Sequence, residues 1–322
     1  MLISSNSSFI ECVRKHNPSS HILLSPLLSN DCNQGCSDND FGSTNLTLDD
    51  TSHHEFTRCY WTDCSSPDAG AITFRDKENS HLEINKCTFT RCVSNNEDKN
   101  CSGGAINSYN VHSISVTSSS FLSCSAPSRS GGGINLVSIL YQPYIDTCTF
   151  ISCFARDDCG GVEILISHAE DDLLICTDCQ FINGLARGSD DPWAGGIILW
   201  DNSQPLKCSN SLFTGNTATY GGAYGTNYNS ESPNYPLRFC FFHANQGTCG
   251  KDVCLKYPPD SYSTEYFLHC ISTTGSNSVQ NRTDSADLSI WLPKANTNDN
   301  LSGAGSIHAK KWMIEFFKRF LS

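Results

Sequence analysis

The phenylalanines at 89, 121, 150, 181, 213 and 242 stand 32, 29, 31, 32 and 29 residues apart, which constrains the fold more than any other feature. Phe-x-x-Cys recurs as Phe9–Cys12, Phe56–Cys59, Phe89–Cys92, Phe121–Cys124, Phe150–Cys153 and Phe267–Cys270. Phe213–Asn216 and Phe242–Asn245 keep the frame with Asn in the last place, and Phe181 is followed by Gly184. A glycine element follows each unit: Gly103-Gly104-Ala105-Ile106, Gly132-Gly133-Ile134, Gly160-Gly161-Val162, Gly195-Gly196-Ile197 and Gly221-Gly222-Ala223. Weaker copies stand at Ala69-Gly70-Ala71-Ile72 and Cys249-Gly250. Two anchors repeated about every 30 residues mark a solenoid, whose units bury their faces on one another.

Within a unit the apolar pattern has the strand period and no helical segment. Leu82 and Ile84 fall on one side with Glu83 and Asn85 on the other, and near Cys87 the phase shifts at a bulge or corner. Gly104 to Asn107 and Ile114 to Val116 supply further strands. Three short strands per turn, separated by corners, describe an all-β parallel β-helix of about eight coils. Phe would stack inside, with Cys or Asn at the following corner. Gly-Gly would allow a positive φ and a close approach of coils that a Cβ would block. No Lys-Ser/Thr follows the glycines, so they do not form a nucleotide loop.

Three regions follow. Residues 1–55 read as an N-terminal cap with a degenerate first coil, and Asp31 to Gly42 as a polar turn. Residues 56–270 read as the solenoid. Residues 271–322 read as cap, linker and an amphipathic helix over 310–321, with Trp312, Phe316, Phe317 and Phe320 on its apolar face. That helix would cap the last coil, dock on a protein, or touch a membrane surface peripherally.

Nineteen cysteines are too many for an ordinary intracellular chain of 322 residues, and an odd number for a set of disulfides. Their in-frame spacing favours a buried ladder of thiols, since free Cys packs as a small hydrophobe. Disulfide bonding in a secreted protein is the alternative. Met1 to Asn6 lacks a basic start and a sustained apolar run, and does not read as a signal peptide. The expected location is cytoplasmic, associated with the cytoskeleton; the cell surface or secretion is the alternative. Lys and Arg total 21 against 33 Asp and Glu, a net charge of −12, which argues against nucleic acid as partner.

Candidate chemistry is sparse. Asp49-Asp50, Asp157-Asp158, Asp171-Asp172 and Asp190-Asp191 do not share a frame, so no common cleft is expected from them. Glu163 follows Asn107 and Asn135 at the same offset and predicts a polar stripe. Cys32 and Cys36 read as incidental thiols, and His53-His54 as solvent-facing. No catalytic, cofactor-binding or metal-binding residue is assigned, and no cofactor. Trp193, Trp200, Tyr224, Tyr228 and Tyr235 lie in or beside long polar insertions, where loops on a rigid scaffold carry binding. They form a candidate binding surface for a protein or, alternatively, a glycan.

The stretch from Phe213 to Ala223, with Phe-x-x-Asn followed by Gly-Gly-Ala, resembles a unit of the chlamydial polymorphic outer-membrane protein repeat. With Phe-x-x-Cys in place of Phe-x-x-Asn, residues 56–270 resemble the Cys-rich relatives of that family in parasitic protists. The resemblance implies a right-handed parallel β-helix and surface adhesion or a passive scaffold. The leading expectation is a non-catalytic, structural or protein-binding β-helix. A cell-surface adhesin and a carbohydrate-active β-helix enzyme are the alternatives; an outward set of acidic and basic residues on neighbouring coils, beside an open groove, would favour the enzyme.

Overall fold

The computed structural model describes residues 35–49, 52–95, 102–139, 141, 143–165, 174–188, 191–200, 206–227, 237–255, 267–268, 270–273 and 279–281. They build an all-β parallel solenoid of three sheets with sixteen, nine and five strands. The chain from His81 traces one coil. It leaves the first sheet at Asn85, turns at Lys86, crosses the second sheet as Thr88–Thr90, turns at Arg91 and enters the third as Val93–Ser94. Beyond the loop it rejoins the first sheet at Ile106. Successive coils pair in parallel register, Ser120 to Leu122 lying between Thr88–Thr90 and Thr149–Ile151.

Within residues 1–55, read as a cap with a degenerate first coil, the described residues form strands. Gly35–Ser37, Asp40–Gly42 and Leu46–Leu48 pair with strands of the next coil, so the polar stretch expected to be a turn supplies strands. The helix expected over 310–321 and the Phe9–Cys12 copy lie outside the described residues.

Aromatic rings run through the core of the second sheet. Phe41, Trp61, Phe89, Phe121, Phe150, Phe181, Phe213 and Phe242 stack with centroids 4.5–5.0 Å apart and nearly parallel rings. Offset stacking adds to the burial of these large side chains. Two of the expected Phe-x-x-Cys copies belong elsewhere. Phe56 pairs with Ile84, and Phe267 with Leu237, both in the first sheet. In the coil of Phe56 the stack position is filled by Trp61, with Cys64 after it.

The two frames look alike because both corners need the same local sequence. At each, an inward apolar residue is followed by an outward one, then by a residue with positive φ, then by a small inward side chain. Lys86, Ser118, Thr147, Asp178 and Asn210 hold φ of 50–55° at the first corner. Arg91, Ser123, Ser152 and Asn183 hold 51–54° at the second. Left-handed backbone is costly for most L-residues, so the corners must be held by their neighbours.

The inward corner side chains do that. Cys87 Sγ donates to the Phe56 carbonyl of the preceding coil at 3.3 Å and to Asn85 two residues back at 3.4 Å. Cys148 and Cys179 repeat the pattern on Val116 and Ile145. Ser119 and Ser211 take Cys places in this ladder, accepting the Cys87 and Cys179 amides at 3.0 and 3.2 Å. At the second corner Cys124 and Cys153 donate to Phe89 and Phe121, each at 3.5 Å. None of the described cysteine side chains forms a disulfide, and nearly all are buried. Burial pushes the Cys124 and Cys148 thiols well above the usual range. Cys59 and Cys64 sit at different corners, and each donates to a backbone carbonyl.

The glycine element has two parts. Gly103 holds φ +79°, and a Cβ there would lie 2.1 Å from the Ile106 carbonyl oxygen. A Cβ on Gly104, next in the chain, would lie 2.0 Å from the Gly132 carbonyl oxygen of the following coil. The first position sets the turn and the second allows the backbones to close.

Candidate binding cleft

The outward row of the first sheet just after the glycines is Thr73, Asn107, Asn135, Glu163, Ile198, Gly225 and Cys254, one residue per coil in register. The row changes character between Glu163 and Ile198. On the Ile198 side it is covered by a small apolar cluster of Cys159, Trp193, Ala194, Ile198 and Cys254, with Trp200 and Tyr220 packed against it. The Trp193 and Trp200 rings meet edge to face at 6.0 Å. On the Thr73 side a cleft of about 490 Å³ opens over the row.

Thr73, Asn107, Asn135 and Glu163 line this cleft, together with Arg129, Asp157, Asp158 and Tyr109. Asn135 Nδ2 donates to Asn107 Oδ1 at 2.8 Å, and Asn107 Nδ2 reaches the Asp68 carbonyl at 3.5 Å. Asn135 Oδ1 and Thr73 Oγ1 have no hydrogen-bond partner among the described residues, although these side chains belong to residues only 4% and 2% exposed. Leaving such atoms unsatisfied costs about 1–3 kcal/mol each.

Along the rim, Asp157 accepts from Arg129 at 3.3 Å and from Arg156 at 3.0 Å. Asp158 Oδ1 accepts the Trp193 amide at 2.9 Å, tying the rim to the apolar cluster. Arg75 and Asp68 form a further pair at 3.4 Å. Glu163 stands at the end of the floor next to Ile198. Desolvation there pushes its carboxyl well above the usual carboxylate range, and the charge of Asp158 pushes the same way. The cleft therefore offers amide, hydroxyl and carboxyl groups, two guanidinium–carboxylate pairs, and Tyr109, which is 43% exposed.

Of the acidic pairs, Asp157-Asp158 reaches the cleft, and among the described residues no second acidic pair lines it. Counted back from the glycine that lets the coils close, Asp157-Asp158 occupy the places of Arg129-Ser130 one coil earlier. The Gly131 amide donates to the Asp158 carbonyl, and the Gly103 amide to that of Ser130. Loop lengths differ between coils, so the alignment is hidden unless it is counted from the glycines. Arg129 is hidden for the same reason, whereas Tyr109, two residues after Asn107 in one strand, pairs with Arg75 and Val137 and so belongs to no repeated residue type. The polar stripe of Asn107, Asn135 and Glu163 lies where the spacing placed it.

The expected aromatic surface is divided. Trp193 and Tyr224 are buried at 2% and 1% exposure, and Trp200 is half-buried. Trp193 belongs to the apolar cluster over Ile198, one coil beyond Glu163, and Gly225 makes room for it, since a Cβ there would lie 3.1 Å from the indole. Tyr228, Tyr235, Trp312, Phe316, Phe317 and Phe320 lie outside the described residues, as do Asp171-Asp172 and Asp190. The pair His53-His54 is also divided: His53 is exposed, and His54 is fully buried with its ring edge-on to Phe74.

No family model, no curated protein and no solved structure matches this chain.

Proposed function

We propose that the protein is a binding solenoid whose cleft holds a hydroxyl-rich ligand, a glycan, while the rest of the stack acts as its rigid support. The observation that carries this reading is the pair of unpartnered, buried polar atoms, Asn135 Oδ1 and Thr73 Oγ1, on the floor of an open cleft. A sugar hydroxyl both donates and accepts, so a row of them satisfies such a floor without bringing a charge to it. Guanidinium–carboxylate pairs on the rim and an exposed tyrosine suit the polar edges and apolar face of a sugar ring. The support is the solenoid itself, whose floor residues are fixed by strand register and not by loops.

A second reading, a carbohydrate-active enzyme, draws on Glu163. Desolvation favours the protonated form of its carboxyl, the form a general acid uses, and Asp157 and Asp158 stand beside it in the cleft. Against it, Asp157 is held by two arginines, and Asp158 by the Trp193 amide.

The test is a glycan array probed with the full-length protein and with the Tyr109→Ala and Asn135→Ala variants. Saturable binding weakened at least tenfold by both variants supports the binding reading. Binding that both variants retain places the ligand elsewhere and defeats it. New reducing ends in the bound glycan, lost in Glu163→Gln, would move the assignment to the enzyme.

A further inference from the structure

A second constellation stands on the other row of the first sheet, away from the cleft. In the strand His53–Thr57, exposure alternates residue by residue: His53 and Glu55 face solvent, while His54 and Phe56 are buried. The next coil runs parallel and in register, so His53 lies beside His81 and Glu55 beside Glu83. Two residues along the strand and two across it thus make a square of two imidazoles and two carboxylates on one flat face.

The ligand atoms of His53, Glu55 and Glu83 all lie within 4.8 Å of one another. His53 Nε2 is 3.8 Å from Glu83 Oε1. Ligands at about 2.0–2.2 Å from a tetrahedral ion sit roughly 3.3 Å apart, so small rotations of exposed side chains close the set. The surroundings orient two members. Thr57 Oγ1 donates to Glu55 Oε1 at 3.2 Å. His81 Nδ1 is bonded to Ser113 Oγ at 2.7 Å, which leaves Nε2 as that ring's remaining ligand atom. The His53 and His81 ring centroids are 6.1 Å apart. A hydrogen bond to the other ring nitrogen, or to a ligating carboxylate, is the usual second layer of a metal site.

We propose that His53, Glu55 and Glu83 bind one divalent transition ion of the zinc type, with His81 or water completing the shell. Imidazole nitrogen with carboxylate oxygen selects borderline ions, whereas calcium and magnesium take shells of oxygen. The geometry needs no folding change, because the backbone ladder already sets the spacing of the four residues. The ion would clamp two neighbouring coils near one end of the described stack.

The experiment is a titration of the full-length protein with Co²⁺, under a non-thiol, non-chelating reductant, followed by displacement with Zn²⁺. One saturable Co²⁺ is expected, with ligand-field bands but no thiolate-to-cobalt charge transfer, displaced by Zn²⁺ and not by Ca²⁺. His53→Ala and Glu83→Gln should each weaken it at least tenfold, while the metal-free variants keep the parent circular dichroism and Tm. A charge-transfer band accompanying saturation would put the ion on cysteines and overturn the proposal. So would displacement by Ca²⁺, absence of saturable binding, or a His53→Ala variant that titrates like the parent.

Discussion

Asn216 Nδ2 donates to the Phe181 carbonyl at 2.9 Å, taking over at the second corner the bond that Cys124 Sγ makes to Phe89 at 3.5 Å. The amide does more than the thiol. Its Oδ1 accepts the Gly184 amide at 2.8 Å, and the Asn216 amide is itself accepted by Asn245 Oδ1 at 2.9 Å. Corner bonds thus pass from coil to coil, through the coil where Gly184 contributes no side chain.

Removing that amide should therefore be costly. Asn216→Ala strands the Phe181 carbonyl and the Gly184 amide, and is expected to lower stability by about 2–4 kcal/mol. Asn216→Cys restores a donor to Phe181 and should cost about half as much. Urea denaturation of both variants checks the order; equal losses would mean that the corner bonds contribute nothing.

The aromatic stack gives a second expectation. Phe121 has a ring on each side, 4.8 Å from Phe89 and 4.7 Å from Phe150. Phe121→Ala should cost about 3–5 kcal/mol through lost burial and the cavity left behind. Phe121→Leu should cost much less. Thermal melts read the difference, and an alanine variant as stable as the leucine one would count against a tightly packed interior.

Gly104→Ala has no comparable relief. Its Cβ would meet the Gly132 carbonyl at 2.0 Å and the Ser125 amide nitrogen at 2.4 Å, both backbone atoms that cannot rotate away. The coils on either side would have to separate, so the variant is expected to be destabilised by several kcal/mol or to stay insoluble. Gly42→Ala is the control: nothing lies within 4 Å of a Cβ there, and only its φ of +53° opposes the change. Soluble yield and melting temperature of the pair separate crowding from backbone strain.

Glu163 sets a dependence on pH. Its folded carboxyl is held above the usual value, so the folded state binds the proton more tightly than the unfolded chain does. The stabilising contribution is complete below the unfolded pKa of about 4.3 and is lost as pH rises through the folded value. Glu163→Gln keeps the neutral form at every pH. The variant should match the parent near pH 4 and melt higher at pH 8; a constant difference across that range would show that the carboxyl is not desolvated.

The solenoid was legible because its requirements repeat. Phe89 to Phe242, the glycines and the inward Cys all recur at one period, and sheet register converts a period directly into stacking. Phe56 and Phe267 were misassigned because two corners use one local sequence, and only pairing tells Phe56 from Trp61. The cleft was half legible. Asn107, Asn135 and Glu163 share an offset from the glycines, but Arg129 and Asp157 reach their places through loops of unequal length. The His53–Glu83 juxtaposition depends on residues 30 apart in the chain becoming diagonal neighbours across two strands. Nothing in the local sequence around His53 marks that.

The floor of the cleft takes one side chain from each coil, and that gives it a ruler. Parallel strands lie about 4.8 Å apart, so Thr73, Asn107, Asn135 and Glu163 are marks on a scale graduated by the backbone. A ligand that fills it must present its groups at multiples of that interval, and a change of length can only come as whole graduations. Its zero is Glu163, the last polar mark before Ile198 and the Trp193 cluster.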